Sequence, residues 1–147
     1  MANDARVNLL DSRAFASAVL LEKIFRNAYE NKRSSEVQPL QWSILRYLGH
    51  AREDRSTVVW LASFLGMTHA PVARAVKTLM ARGYVVQQDN PLDGRSRILS
   101  LSETGWSQLK ADPLLSVAER IDRLEESEKR ALASAVKQLI PQDIAGQ

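Results

Sequence analysis

Four cations stand at spacings that suit one chemistry. Arg74 and Lys77 lie three apart in a stretch of helical periodicity, and Arg95 and Arg97 lie two apart beside a turn-dense loop. Residues three or four apart share a helix face, and alternate residues of a strand point the same way. Guanidinium and ammonium groups held like this neutralise phosphates, and arginine also donates in pairs to base edges. Around Arg74 and Lys77, the residues Thr68, His69, Ala70, Thr78 and Ala81 are small or polar, and residues 68–82 contain no acid. Small side chains let a helix backbone approach a groove floor. The plain alternative is an amphipathic helix with two cations on its wet side.

Other chemistries lack their ingredients. There is no cysteine, and His50 and His69 fall in separate elements, so neither a thiolate nor a tight zinc site is expected. No glycine-rich phosphate loop and no nucleophile elbow is present. The expectation is therefore no enzyme, no metal and no cofactor. No stretch approaches the roughly 18 apolar residues of a membrane span. Residues 1–10 hold Asp4 and Arg6 and no apolar core, so neither a leader nor a membrane anchor is expected, and the expected location is the cytoplasm.

The elements that must position the cations follow from hydrophobic period. Residues 10–30 carry Ala14, Ala18, Leu21, Phe25 and Ala28 at helical spacing. Pro39 suits a helix start, Leu40, Ile44, Leu45 and Leu48 give that helix its face, and Gly49 is its expected end. Ser56 is a candidate N-cap for a short helix with Val58, Leu61, Ala62 and Leu65 inward, stopped by Gly66. Thr68 then begins a helix to Arg82 with Val72, Val76, Leu79 and Met80 inward, and Gly83 stops it. Pro71, near the third helical position, removes one N–H donor there. The period then switches. Residues 84–88 are β-prone, 89–94 are dense in turn formers, and 95–101 alternate, which predicts a hairpin. Ser102 with Glu103 opens another helix that Pro113 breaks or kinks, and Ser127 caps a last one. The order is four helices, a hairpin and two helices.

A basic helix preceded by a short helix and followed at once by an arginine-bearing hairpin has the form of a winged helix-turn-helix. The helix would occupy a major groove and the hairpin tip a neighbouring minor groove, whose narrow A·T-rich form attracts arginine. Charge agrees. The chain has 147 residues and a net charge of +3, distributed as +2 over 1–55, +3 over 56–97 and −2 over 98–147.

The chain resembles the MarR family of winged-helix regulators. Residues 93–105, Asp-Gly-Arg-Ser-Arg-Ile-Leu-Ser-Leu-Ser-Glu-Thr-Gly, are similar to that family's D-x-R…L-T-x-x-G wing signature, with Ser102 in place of the usual threonine. Residues 40–48, 61–67, 72–79 and 83–85 are similar to its second helix, helix-turn-helix and wing start. The resemblance implies a mainly α fold with a small β-hairpin wing and terminal helices that form a dimerisation domain. It divides the chain into an N-terminal dimerisation helix (1–36), a DNA-binding lobe (37–104, recognition helix about 68–82, wing about 84–101) and C-terminal dimerisation helices (105–147). It makes Arg95 the minor-groove arginine, gives Asp93 a role in shaping the wing, and puts Arg74 at a DNA-contact position. The partners expected are double-stranded DNA with a pseudopalindromic operator, a second copy of the chain, and a small effector, often aromatic and anionic.

Trp42, Trp60 and Trp106 support two readings. They are core or lobe-packing residues, or Trp42, Tyr47 and Trp106 help line a ligand cavity between the dimer helices and the lobe, with Arg13 or Arg46 pairing an anion. The leading function is a repressor released by ligand. A winged-helix protein-interaction module and a ligand-independent DNA-binding protein are the alternatives.

Overall fold

A computed structural model of the chain describes residues 6, 8–30 and 37–141. The chain divides into two compact units, Met1–Ser34 with Pro113–Arg123 and Ser35–Asp112 with Leu124–Gln147. In the first unit, α1 (Arg13–Glu30) contacts α6 (Leu115–Asp122), and among the described residues Ala28, Pro113 and Val117 are buried. Residues 10–12, predicted as helix, lie outside α1: Ser12 bends the chain, and its hydroxyl accepts the Phe15 N–H at 3.1 Å.

In the second unit, α2 (Pro39–His50) is the central helix. It touches α3 (Val58–Leu65), α4 (His69–Ala81), strand β2 (Arg97–Leu101) and α5 (Glu103–Leu109). Trp42, Ile44, Leu45 and Leu48 of α2 meet a core completed by Leu61 and Ala62 of α3, Val72, Val76 and Leu79 of α4, and Leu99 and Leu101 of β2. Pro39 opens α2, and the side chain of Gln41 reaches back to accept the Gln38 N–H at 3.0 Å. Gly49 does not end α2, which runs through His50. A Cβ at 49 would lie 3.0 Å from Leu109 Cδ1, so a larger residue there would require that side chain to give.

The N-cap of α3 is Thr57, not Ser56. Thr57 Oγ1 accepts the Trp60 N–H, while the Ser56 hydroxyl donates to the Arg52 carbonyl. Gly66 closes α3 in the left-handed region at φ 61°, a conformation that costs glycine little. Strand β1 (Val85–Asp89) pairs antiparallel with β2, with Val85 opposite Leu101 and Asp89 opposite Arg97. The second strand therefore starts at Arg97, and Arg95 belongs to the tip.

Ser102 joins hairpin to helix. Its side chain accepts the Gly105 N–H at 3.0 Å and donates to the Gly83 carbonyl, and its own N–H donates to Tyr84 O at 3.0 Å. A Cβ at Gly105 would sit 2.1 Å from that same Tyr84 oxygen, so residue 105 must be glycine for the strand and helix to meet. The helix is broken before Pro113 rather than kinked at it. Helix α5 ends at Leu109 and α6 begins at Leu115, so among the described residues three helices follow the hairpin. The last, α7 (Glu126–Leu139), is capped by Glu125, whose N–H donates to Glu128 Oε2 at 3.2 Å. Ser127 lies inside it.

Candidate nucleic-acid interface

Helix α4 divides as its sequence requires. Val72, Ala75, Val76 and Leu79 are buried, and His69, Ala70, Arg74, Lys77 and Ala81 are exposed. Thr68 precedes the helix as its N-cap but makes no side-chain cap bond. Pro71 stands at the third helical position, so the donor that a capping threonine most often satisfies is missing. The Thr78 hydroxyl donates to the Arg74 carbonyl at 3.1 Å, inside its own helix.

The wing tip is built by two side chains that fold the backbone onto themselves. Asp93 Oδ1 accepts the Arg95 N–H at 3.0 Å, and Asp93 O accepts the Ser96 N–H at 3.1 Å. Asn90 Oδ1 accepts the Leu92 N–H at 3.0 Å, and its amide donates to Ser96 Oγ at 2.8 Å. These are Asx-type turns, the reason such loops favour Asn and Asp. They hold residues 90–96 in one shape without covering the exposed Arg95 side chain. Arg97 differs: its Nη1 lies 3.3 Å from Asp89 Oδ1, its partner across the hairpin.

Helix and wing share one groove of about 500 Å³. His69, Ala73 and Lys77 line it from α4, and Arg95, Ser96 and Arg97 line it from the wing. No acidic residue is among the described residues that line it. Arg74 stands outside the groove, exposed on α4. The wing's pose is set by the segment before α3, because the Leu99 N–H donates to Ser56 O at 2.7 Å and the Gln88 amide to Glu53 Oε1 at 3.0 Å. The sequence marks Ser56 only as a helix cap and does not single out Asn90 or Ser96. The turn-forming bias of 89–94 points to Asn90, and no local signal ties Ser56 to the wing.

The residues considered for a ligand scatter. Trp42 is core, only 3% exposed. Trp106 is half exposed and approaches the α2 backbone at Gly49. Arg13 is exposed on α1, in the other unit. Arg46 makes a two-pronged ion pair with Asp112, Nε–Oδ2 2.5 Å and Nη2–Oδ1 2.7 Å, with the carboxylate buried. Tyr47 donates to Arg55 O at 2.8 Å, and burial pushes its phenol above its ordinary value. Arg46 and Tyr47 do line one cavity, together with Trp60 and Phe64 rather than with Trp42 or Trp106. Among the described residues no group of three or more His, Asp or Glu could hold a metal, and no helix is long and apolar enough to cross a membrane.

Two helices joined by a left-handed glycine turn, followed by a two-stranded antiparallel hairpin docked beside the second, define a winged helix-turn-helix. Residues 35–96 match the model of the MarR family. Most of the chain is similar to solved structures of the same fold. A probable transcriptional regulator from Pseudomonas aeruginosa is 26% identical, with 90% of this chain and 99% of that one covered and a TM-score of 0.64. MepR of Staphylococcus aureus in complex with DNA is 16% identical, covering 88% and 96%, with a TM-score of 0.67. The adhesin competence repressor AdcR of Streptococcus pyogenes is 22% identical, covering 86% and 93%, with a TM-score of 0.60. No curated protein gives a significant match.

Proposed function

We propose that the chain is a sequence-specific DNA-binding transcriptional regulator, a cytoplasmic repressor that works as a homodimer and leaves its operator when a small aromatic anion binds. The observation that carries this reading is the groove shared by Lys77 of α4 and Arg95 of the wing, lined without an acid. Lys77, with Arg74 beside it, contacts the phosphates and base edges of a major groove. Arg95, free of a cross-strand carboxylate such as holds Arg97, enters the adjoining minor groove. His69, Ala70 and Thr68 form the leading end of the helix, Thr78 lies behind, and Asp93 keeps the tip in shape. MepR, a similar fold, is seen on DNA, and AdcR is named a repressor, which supports the direction of regulation.

Dimerisation falls to residues 1–36 and 105–147. Phe15, Val19, Ile24 and Phe25 of α1 and Val136 and Leu139 of α7 are all exposed in the single chain. Such faces on a soluble chain mark an interface. Two-fold symmetry then sets two recognition helices about one DNA turn apart, ~34 Å.

The test is fluorescence anisotropy with a labelled duplex from the region upstream of the chain's own gene. The expected result is saturable binding at physiological salt that weakens steeply as salt rises. No binding at micromolar protein would favour the protein-interaction module instead.

A further inference from the structure

The wing tip uses one device twice. Asn90 Oδ1 accepts the Leu92 N–H at 3.0 Å, and Asp93 Oδ1 accepts the Arg95 N–H at 3.0 Å, each side chain reaching the residue two places on. The second turn presents Arg95, the cation of the tip. The first presents Leu92, which the core does not use. Leu92 is 88% exposed, the most exposed of the described large hydrophobic residues. Most of the others lie on helices, where one partner can cover a whole face. The concavity that Leu92 borders holds Arg52, Glu53, Asp54 and Asn90, and its other apolar members are Pro91 and the buried Ile98. Such a wall gives a leucine little cover. A lone exposed leucine is ordinary on a protein surface. This one is held by its own turn, three residues from Arg95.

We propose that Leu92 is a DNA contact, an apolar side chain laid against the deoxyribose edges that wall the minor groove entered by Arg95. The proposal rests on the regulator reading and adds an uncharged contact to it. A minor groove offers hydrogen-bond acceptors on its floor and sugar C–H groups on its walls. Proteins that bind there combine arginine with apolar side chains such as leucine.

The two sides of the tip divide the contacts. Arg95 lines the groove shared with α4, together with Lys77 and no described acid. Leu92 lines none of that groove, and its side of the tip carries Glu53 and Asp54. Carboxylates there disfavour a phosphate, whereas an uncharged sugar edge meets no such repulsion. A tip that enters the groove therefore turns its cation toward α4 and its leucine toward the opposite wall.

Anisotropy with the labelled upstream duplex tests this, measured over a series of salt concentrations for the full-length parent, Leu92→Ala, Leu92→Met and Arg95→Ala. Thermal unfolding checks that the variants keep the parent's midpoint. Leu92→Ala should weaken binding about fivefold through lost apolar burial. Its salt slope should equal the parent's, because an apolar contact releases no counterion, while Arg95→Ala lowers the slope by about one. Leu92→Met keeps an apolar side chain of similar volume and should bind within about twofold of the parent. Parent-like affinity in Leu92→Ala, with Arg95→Ala weakened, overturns the Leu92 contact and leaves the regulator reading standing. A lowered salt slope in Leu92→Ala, or an equal loss in Leu92→Met, means that residue 92 acts by shaping the tip around Arg95, and also overturns the contact. A parent that does not bind the duplex overturns both readings.

Discussion

The winged lobe and the terminal helices use the same kind of apolar stripe to opposite ends. In the lobe, the stripes of α2, α3 and α4 close on one another and on β2. Ile44, Leu45, Leu61, Val72 and Leu79 reach full burial. In α1 the only buried residue is Ala28, and in α7 there is none, although both helices have clear apolar faces. A stripe is a demand for a partner and does not say where the partner is. The lobe meets the demand within its own fold, and the terminal helices leave it to a second copy under the homodimer reading.

The largest expected effect breaks the lobe's side of this contrast. Asp112→Ala leaves the part-buried Arg46 without its carboxylate, and removal of one member of such a pair costs about 3 kcal/mol. Thermal unfolding should show a correspondingly lower midpoint, and an unchanged one would mean that the pair between α2 and the segment after α5 adds nothing to stability. Next comes the other side of the contrast. Val19→Glu with Phe25→Glu puts charge on the exposed face of α1. The dimer dissociation constant should rise at least a hundredfold, about 2.7 kcal/mol. Light scattering reads the mass, and circular dichroism should show the lobe's helices intact. A dimer that survives both charges would remove α1 from the interface.

Arg95→Ala follows in size. It should weaken operator binding about tenfold, or ~1.4 kcal/mol, and lower the salt slope, while stability stays within about 0.5 kcal/mol. Unchanged affinity at matched salt would take the wing out of the interface. The smallest effect separates two threonines at the starts of neighbouring helices. Thr57→Ala removes a cap and should cost about 1 kcal/mol. Thr68→Ala removes a hydroxyl that caps nothing and should cost less than ~0.5 kcal/mol, so any loss of operator affinity it causes comes from contact with DNA.

Much of this was legible in local pattern. The inward and outward faces of α4 follow from Val72, Val76 and Leu79 against Arg74 and Lys77, because a helix repeats every 3.6 residues whatever it packs on. The turn at Gly66 and the hairpin after Gly83 were legible for similar local reasons. The caps were less so. Ser56, Thr57 and Thr68 are all competent to cap, and the choice among them depends on where Trp60 N–H and Pro71 fall. The strand start at Arg97 rather than Arg95 reflects pairing with Asp89, a partner across the hairpin.

The amino-acid order by itself determined which residues repeat with helical or strand period, where glycine and proline interrupt them, and which face of α4 carries charge. These are properties of neighbours along the chain. Tertiary structure decided what only distant residues settle together. It brought Lys77 and Arg95 to one groove, set Arg46 against Asp112, required glycine at 105 beneath Tyr84 O, and gathered Tyr47, Trp60 and Phe64 into a cavity while sending Trp42 to the core. Each depends on contacts between residues far apart in sequence, and no local period encodes such a contact.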